Sequence, residues 1–328
     1  MKVVSYVHAY VPYHNGGAET TLHDLNLALV DAGHEVHVII KESPKHLGKA
    51  DYEVEGVKVH YAQSKRDIVM ALPGADLLLT HLECSVRATL LGSQFRVPVA
   101  QIIHNDMDLT RKYIAHRPSF LVYNSMWIRD KFSKEFGDMP NMVVHPPIKA
   151  SRFKTDRGKK VTLINLFERK GADVFYHLAS KFPTVDFLGV VGGYGEQEIR
   201  HDLPNVEIMD YTPDIKKAYE KTKLILMPSV YESYGRVACE AAASGIPAIV
   251  SDTPGLREAL GDAGTYLDPT DLEAWETALR ASLTPRKYGA LSKSALARSE
   301  ALDTMARKEL DDFVFYCEQF THLYKKTR

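Results

Sequence analysis

Short apolar runs bounded by glycine, proline or polar turns recur along the chain, and stretches with apolar residues at helical spacing separate many of them. Residues 3–8 read as a buried strand. After the loop 9–17 a helix is predicted from about Ala18, with Leu22, Leu25, Ala28, Leu29 and Ala32 on one face. Gly33-His34 ends it, and residues 36–40 form the next strand. This strand–helix–strand start predicts a parallel sheet with right-handed crossovers. Further strands are expected at 57–61, 77–80, 99–104, 120–123 and 143–144. Pro146-Pro147 and the polar, basic stretch 149–160 read as a linker. A second series then begins. Strands are expected at 161–166, 187–191, 206–209, 224–227, 248–250 and 265–267, with a helix at 173–181 whose Val174, His177 and Leu178 point inward. The fold class is α/β, with two Rossmann-like, doubly wound parallel-sheet domains at 1–147 and 148–308. Leu310, Phe313, Val314, Cys317, Phe320 and Leu323 form an apolar stripe on a final helix.

Composition agrees with two cores. The chain has 328 residues, 45% of them hydrophobic, too many for one ordinary domain. Its formal net charge is −1 and both halves are close to neutral, so neither is a nucleic-acid or membrane surface by bulk charge. Cys84, Cys239 and Cys317 lie far apart without a Cys-x-x-Cys spacing, which indicates neither a disulfide framework nor a zinc site and fits a reducing, cytoplasmic setting. No apolar run approaches the ~18 residues of a membrane span, which leaves at most peripheral membrane contact.

The chemistry concentrates in residues 228–247, PSVYESYGRVACEAAASGIP. The pattern is strand, loop, helix, with Glu232 in the loop, Gly235 allowing a ligand near the backbone and Glu240 about two turns into the helix. A helix amino end presents unpaired N–H groups and a positive dipole, which suits a phosphate. Two carboxylates there repel a phosphate but accept hydrogen bonds from hydroxyls on either side of it. A phosphate flanked by two polyols is a nucleotide sugar.

Glu-x7-Glu followed by Ala-x-x-x-Gly-x-Pro, then Ser251-Asp-Thr-Pro-Gly255 and Glu258, resembles the donor-site signature of family 4 retaining glycosyltransferases of the GT-B fold, in which two such domains face a central cleft. The resemblance implies a metal-independent enzyme without a cofactor. It would move a sugar from a nucleoside-diphosphate sugar, UDP-sugar favoured over GDP-sugar, to an acceptor hydroxyl with retention. Lys170, Glu232 and His104 are then the catalytic candidates. Gly16, Gly17, Arg169, Lys170, Gly193, Tyr211, Glu232, Tyr234, Gly235 and Glu240 are the donor-binding ones. Gly16-Gly17-Ala18-Glu19 matches the family's Gly-Gly-x-Glu, whose backbone faces the diphosphate. Lys170-Gly171 matches its Lys-Gly, but Ile164-Asn165 stands where the family has Gly-Arg, leaving Arg169 as the candidate replacement. Gly192 to Gly195 resembles the glycine loop beneath the nucleotide. Glu240 would hold the ribose diol, Glu232 the sugar hydroxyls, and the segment 309–328 would pack back on the first domain.

Asp106-x-Asp108 has the form of a metal-binding pair in another glycosyltransferase fold, and here it reads as loop or acceptor-side surface. The basic cluster Arg111, Lys112, Arg117, Arg129, Lys131 and Lys134 admits an anionic acceptor or a plain solvated face. Two other readings stay open: a GT-B nucleotide-sugar epimerase or hydrolase, and a non-catalytic nucleotide-sugar binding protein.

Overall fold

The computed structural model of the chain describes residues 1–42 and 50–327. They divide into two units, one of Met1–Pro147 with Ala306–Arg328 and one of Ile148–Met305. In the first, eight strands are β1 (Lys2–Val7), β2 (Glu35–Ile40), β3 (Tyr52–Val54), β4 (Val57–Tyr61), β5 (Leu77–His81), β6 (Val99–Ile103), β7 (Phe120–Tyr123) and β8 (Asn141–Val143). Their order across the sheet is β3-β4-β2-β1-β5-β6-β7-β8. All neighbours are parallel except β3, which pairs antiparallel with β4 through the tight turn at Glu55-Gly56. The short run Tyr52–Val54 carries too little alternation to predict this edge strand.

The second unit has β9 (Lys160–Ile164), β10 (Phe187–Val190), β11 (Val206–Met209), β12 (Thr222–Met227), β13 (Ala248–Ser251) and β14 (Gly264–Leu267). Its order β11-β10-β9-β12-β13-β14 is parallel throughout. The strand order reverses between β1 and β5 in the first sheet and between β9 and β12 in the second. In an open parallel sheet the crevice outside the strands' carboxyl ends at such a reversal is the ligand position.

Strands buried on both faces read as the apolar runs they are: Leu77, Leu78 and Leu79 are fully buried, as are Leu224, Ile225 and Leu226. The helix Ala172–Lys181 buries Val174 and Leu178. His177 is half-buried rather than core, because its Nε2 lies 2.8 Å from Glu276. The final helix is far longer than its apolar stripe, running Pro285–Lys326. From Leu310 its stripe enters the first unit's core, where Phe313 and Cys317 are fully buried with Val3, Val36 and Phe120.

Candidate functional site

At the second unit's reversal point the chain leaves β9 into the single helical turn Glu168–Lys170 and leaves β12 into the loop 228–235. These two connections touch. Gly171 has φ +88°, and a Cβ on it would sit 2.3–2.7 Å from Pro228, so only glycine lets the turn lie against the loop. The Val230 N–H donates to the Arg169 carbonyl at 3.0 Å. Lys170 Nζ donates to Glu232 Oε1 at 2.5 Å, and the Ser229 hydroxyl donates to the same oxygen at 2.9 Å. Both charged side chains are largely buried, 21% and 11% exposed. Burial opposes the charged form of Lys170, but the Glu232 carboxylate and the Tyr194 hydroxyl more than offset it, holding the ammonium above its ordinary value.

The second half of the signature buttresses this pair. Thr253 caps the helix Pro254–Leu260 through its hydroxyl, which accepts from Leu256 N–H, with Pro254 in the first turn. That brings Gly255 against the loop: a Cβ there would fall 2.4 Å from the Glu232 carbonyl oxygen and 2.6 Å from the Ser233 carbonyl. The sequence supplies the order of these elements but not the reason for Gly255, a backbone-to-backbone approach.

The helix after the loop spans Arg236–Ala242, so Glu240 lies little more than one turn in, not two. Gly235 precedes it at φ +106°, where a Cβ would meet Leu256, and Tyr234 is buried. Glu240 is buried with both carboxylate oxygens engaged. Arg236 Nε donates to Oε1 at 3.1 Å and the Tyr219 hydroxyl donates to Oε2 at 2.9 Å. Burial, and then the Glu240 charge, push the Tyr219 phenol well above its usual value. Neither partner was singled out in the sequence, although Arg236 at i, i+4 from Glu240 was a readable signal.

Asn165, in the place of the expected arginine, adopts φ +74° and is buried. Its Oδ1 accepts from Gln197 Nε2 at 2.8 Å. Gln197 Oε1 accepts from the N–H groups of Leu166 and Gly192 at 3.0 and 2.7 Å, and its Nε2 also reaches the Tyr194 and Gly195 carbonyls. Asn165 and Gln197 thus shape the Gly192–Gly195 loop, and a Cβ on Gly192 would collide with Asn165 at 2.2 Å. Gln197 carried no sequence signal. The Tyr211 ring lies beside Gly193, 3.4 Å from where a Cβ would be, and is 46% exposed, while Arg169 is exposed.

In the first unit, His104 follows β6, and its Nε2 lies 3.0 Å from Nδ1 of His81 at the end of β5. Gly16 and Gly17 sit at the start of the helix Gly17–Asp31, and Gly16 is shaped by Glu19, whose Oε2 occupies the space 2.2 Å from a would-be Cβ. Asp106 pairs with Lys131, Arg111 with Glu135 and Arg117 with Asp138, which neutralises much of the basic cluster. Among the described residues no helix is long and apolar enough to cross a membrane.

This constellation coincides with a family match. Residues 160–284 match the model of glycosyl transferases group 1. The O-antigen chain mannosyltransferase RfbU of Salmonella typhimurium is 36% identical over 67 residues, covering 20% of this chain and 19% of that protein. The D-inositol 3-phosphate glycosyltransferase of Mycobacterium marinum is 26% identical over 190 residues, 48% of this chain and 41% of that one. The match spans less than half the length of these curated relatives. Among solved structures, HepE of Anabaena in complex with UDP-glucose superposes with a TM-score of 0.78 at 18% identity, over 95% of this chain and 99% of that one. Sucrose-phosphate synthase from Thermosynechococcus elongatus superposes with a TM-score of 0.76 at 15% identity, covering all of both chains. The second unit is therefore a glycosyl transferases group 1 domain, in a chain with the GT-B fold of two parallel-sheet α/β domains.

Proposed function

We propose that the protein is a retaining glycosyltransferase that moves a hexosyl group from a nucleoside-diphosphate sugar, by preference a UDP-sugar, to an acceptor hydroxyl. The observation that carries this reading is the largely buried Lys170–Glu232 pair at the reversal point of the second unit's sheet. Departure of the diphosphate demands positive potential where negative charge grows. Lys170 would supply it by exchanging its carboxylate partner for the diphosphate. Glu232, released, would accept hydrogen bonds from sugar hydroxyls, with Ser229 holding its orientation. Tyr211 beside Gly193 offers a ring to the base. Glu240, its charge shared with Arg236 and Tyr219, keeps lone pairs for the ribose diol, since a carboxylate accepts about four hydrogen bonds. His104 and the Gly16-Gly17 amides keep the roles that the family resemblance gives them, beside the transferred sugar and the diphosphate. No divalent ion is required at the diphosphate. The setting proposed is the cytoplasm.

The decisive assay incubates the EDTA-treated protein with UDP-glucose and other UDP- and GDP-sugars, with and without candidate acceptors, following nucleotide release and product anomeric configuration by NMR. Transfer with retention is expected. Sugar release or epimerisation without an acceptor would favour a nucleotide-sugar hydrolase or epimerase, and binding without turnover a sensor. Loss of activity in EDTA, restored by Mn²⁺ or Mg²⁺, would overturn metal independence.

A further inference from the structure

The first unit's reversal point carries a cluster of a different chemistry. His8 follows β1, His14 lies in the next loop, Glu19 is in the first turn of the helix Gly17–Asp31, and His81 ends β5. One nitrogen from each of His8 and His14 and one Glu19 carboxylate oxygen lie within 4.8 Å of one another. His8 Nε2 is 3.3 Å from Glu19 Oε1. Two ligand atoms bound at about 2.0–2.1 Å to a tetrahedral ion stand roughly 3.3 Å apart, so this edge already has the spacing of a coordination shell. Glu19 is buried at 3% exposure, held in place because Gly16 lacks a Cβ, whereas His14 is exposed and sits at the mouth.

A second observation points the same way. The fully buried His81 packs its ring 5.8 Å from that of His8, and its Nε2 has no hydrogen-bond partner among the described residues; Nδ1 of His8 is buried too, with Glu83 Oε1 at 3.6 Å, beyond hydrogen-bond reach. Buried, unpaired nitrogens are costly, and two of them border the His8–His14–Glu19 cluster.

We propose that His8, His14 and Glu19 bind a borderline transition-metal ion of the Zn²⁺, Co²⁺ or Ni²⁺ class, leaving a coordination position open. Two imidazoles and one carboxylate suit these ions, not Mg²⁺ or Ca²⁺, which take oxygen donors. The three cysteines are buried and do not compete as ligands. The site does not depend on the proposed sugar transfer, and its test needs no turnover.

The experiment titrates Co²⁺ into the tag-free, EDTA-treated full chain, reading visible d–d absorption and calorimetric stoichiometry, with Zn²⁺ as competitor. One equivalent should bind with the bands of a four- or five-coordinate ion, displaced by Zn²⁺. His14→Ala, at an exposed position, and Glu19→Gln should each weaken binding tenfold or more while the circular dichroism spectrum is retained. The control is His37→Ala, because His37 and His60 form a separate stacked pair with nitrogens 3.0 Å apart. No d–d bands, binding unaffected by both site variants, or binding lost only in His37→Ala would overturn the proposal.

Discussion

Glu232 and Glu240, eight positions apart and given different roles by the sequence, also differ in their partners in the structure. Glu232→Ala removes the anion that occupies Lys170, so affinity for bare UDP should hold or rise while turnover of the sugar donor falls sharply, since only contacts that tighten in the transition state change the chemical step. Calorimetry beside steady-state rates checks this, and a fall in UDP affinity would contradict it. Glu240→Ala should act differently. It removes the buried carboxylate that Arg236 and the Tyr219 hydroxyl bond and should cost about 1.5–3 kcal/mol of stability in addition to any nucleotide affinity, measurable by urea unfolding. The Lys170 ammonium makes a prediction with pH. Its folded value lies above its unfolded one, so its stabilising contribution is complete below about pH 10.4 and disappears as pH climbs through the folded value. The stability gap between the parent and Lys170→Met should therefore be flat from pH 7 to 10 and close above that. At this scale the catalytic candidates were legible because chemistry restricts residue type. Asn165 was legible only as a departure: its hold on the glycine loop needs Gln197, 32 positions away, and no spacing rule links them.

Strands buried on both faces announce themselves, and most boundaries read from the sequence lie within a residue or two of those in the structure. What was lost had a common cause, a weak pattern. β3 is three residues long at a sheet edge, with none of them fully buried. In the long helix, the buried positions before Leu310 keep helical spacing but are mostly small or polar, Ser292, Ala295, Ser299, Leu302 and Ala306, so they make no apolar stripe in the sequence. The glycines of the signature are more informative as contacts between connections than as flexible points. Gly255→Ala should be destabilising by about 2 kcal/mol or more, because its Cβ meets backbone atoms of Glu232 and Ser233 that have no rotamer to retreat to. Gly16→Ala is the contrast. Its φ of −81° suits alanine, and the obstacle is the tip of the Glu19 side chain, so thermal stability should change little while Co²⁺ affinity falls with the displaced carboxylate.

Across the whole molecule, the division at Pro147 and Met305 leaves the first unit in two pieces of sequence. Its second piece is structural. Phe313 and Cys317 are fully buried, Phe120 packs against Phe320 and Tyr316, and His145 donates its N–H and one ring nitrogen bonds Glu309 at 2.8 and 2.7 Å. Phe313→Ala should cost about 3–5 kcal/mol, seen as a lowered thermal midpoint of the first unit.

That discontinuity sets a timetable for the ribosome. Residues 148–305 are contiguous, so once they clear the exit tunnel every contact of their core is available. The unit that emerges first has no such freedom: its sheet is complete by Val143, yet the face that Phe313 and Cys317 cover stays uncapped until the entire second unit has been made. On nascent chains stalled on a short linker after Arg328, so that residues 148–305 have cleared the tunnel while 306–328 are still inside it, the half translated later should already resist protease while the half translated earlier is still cut.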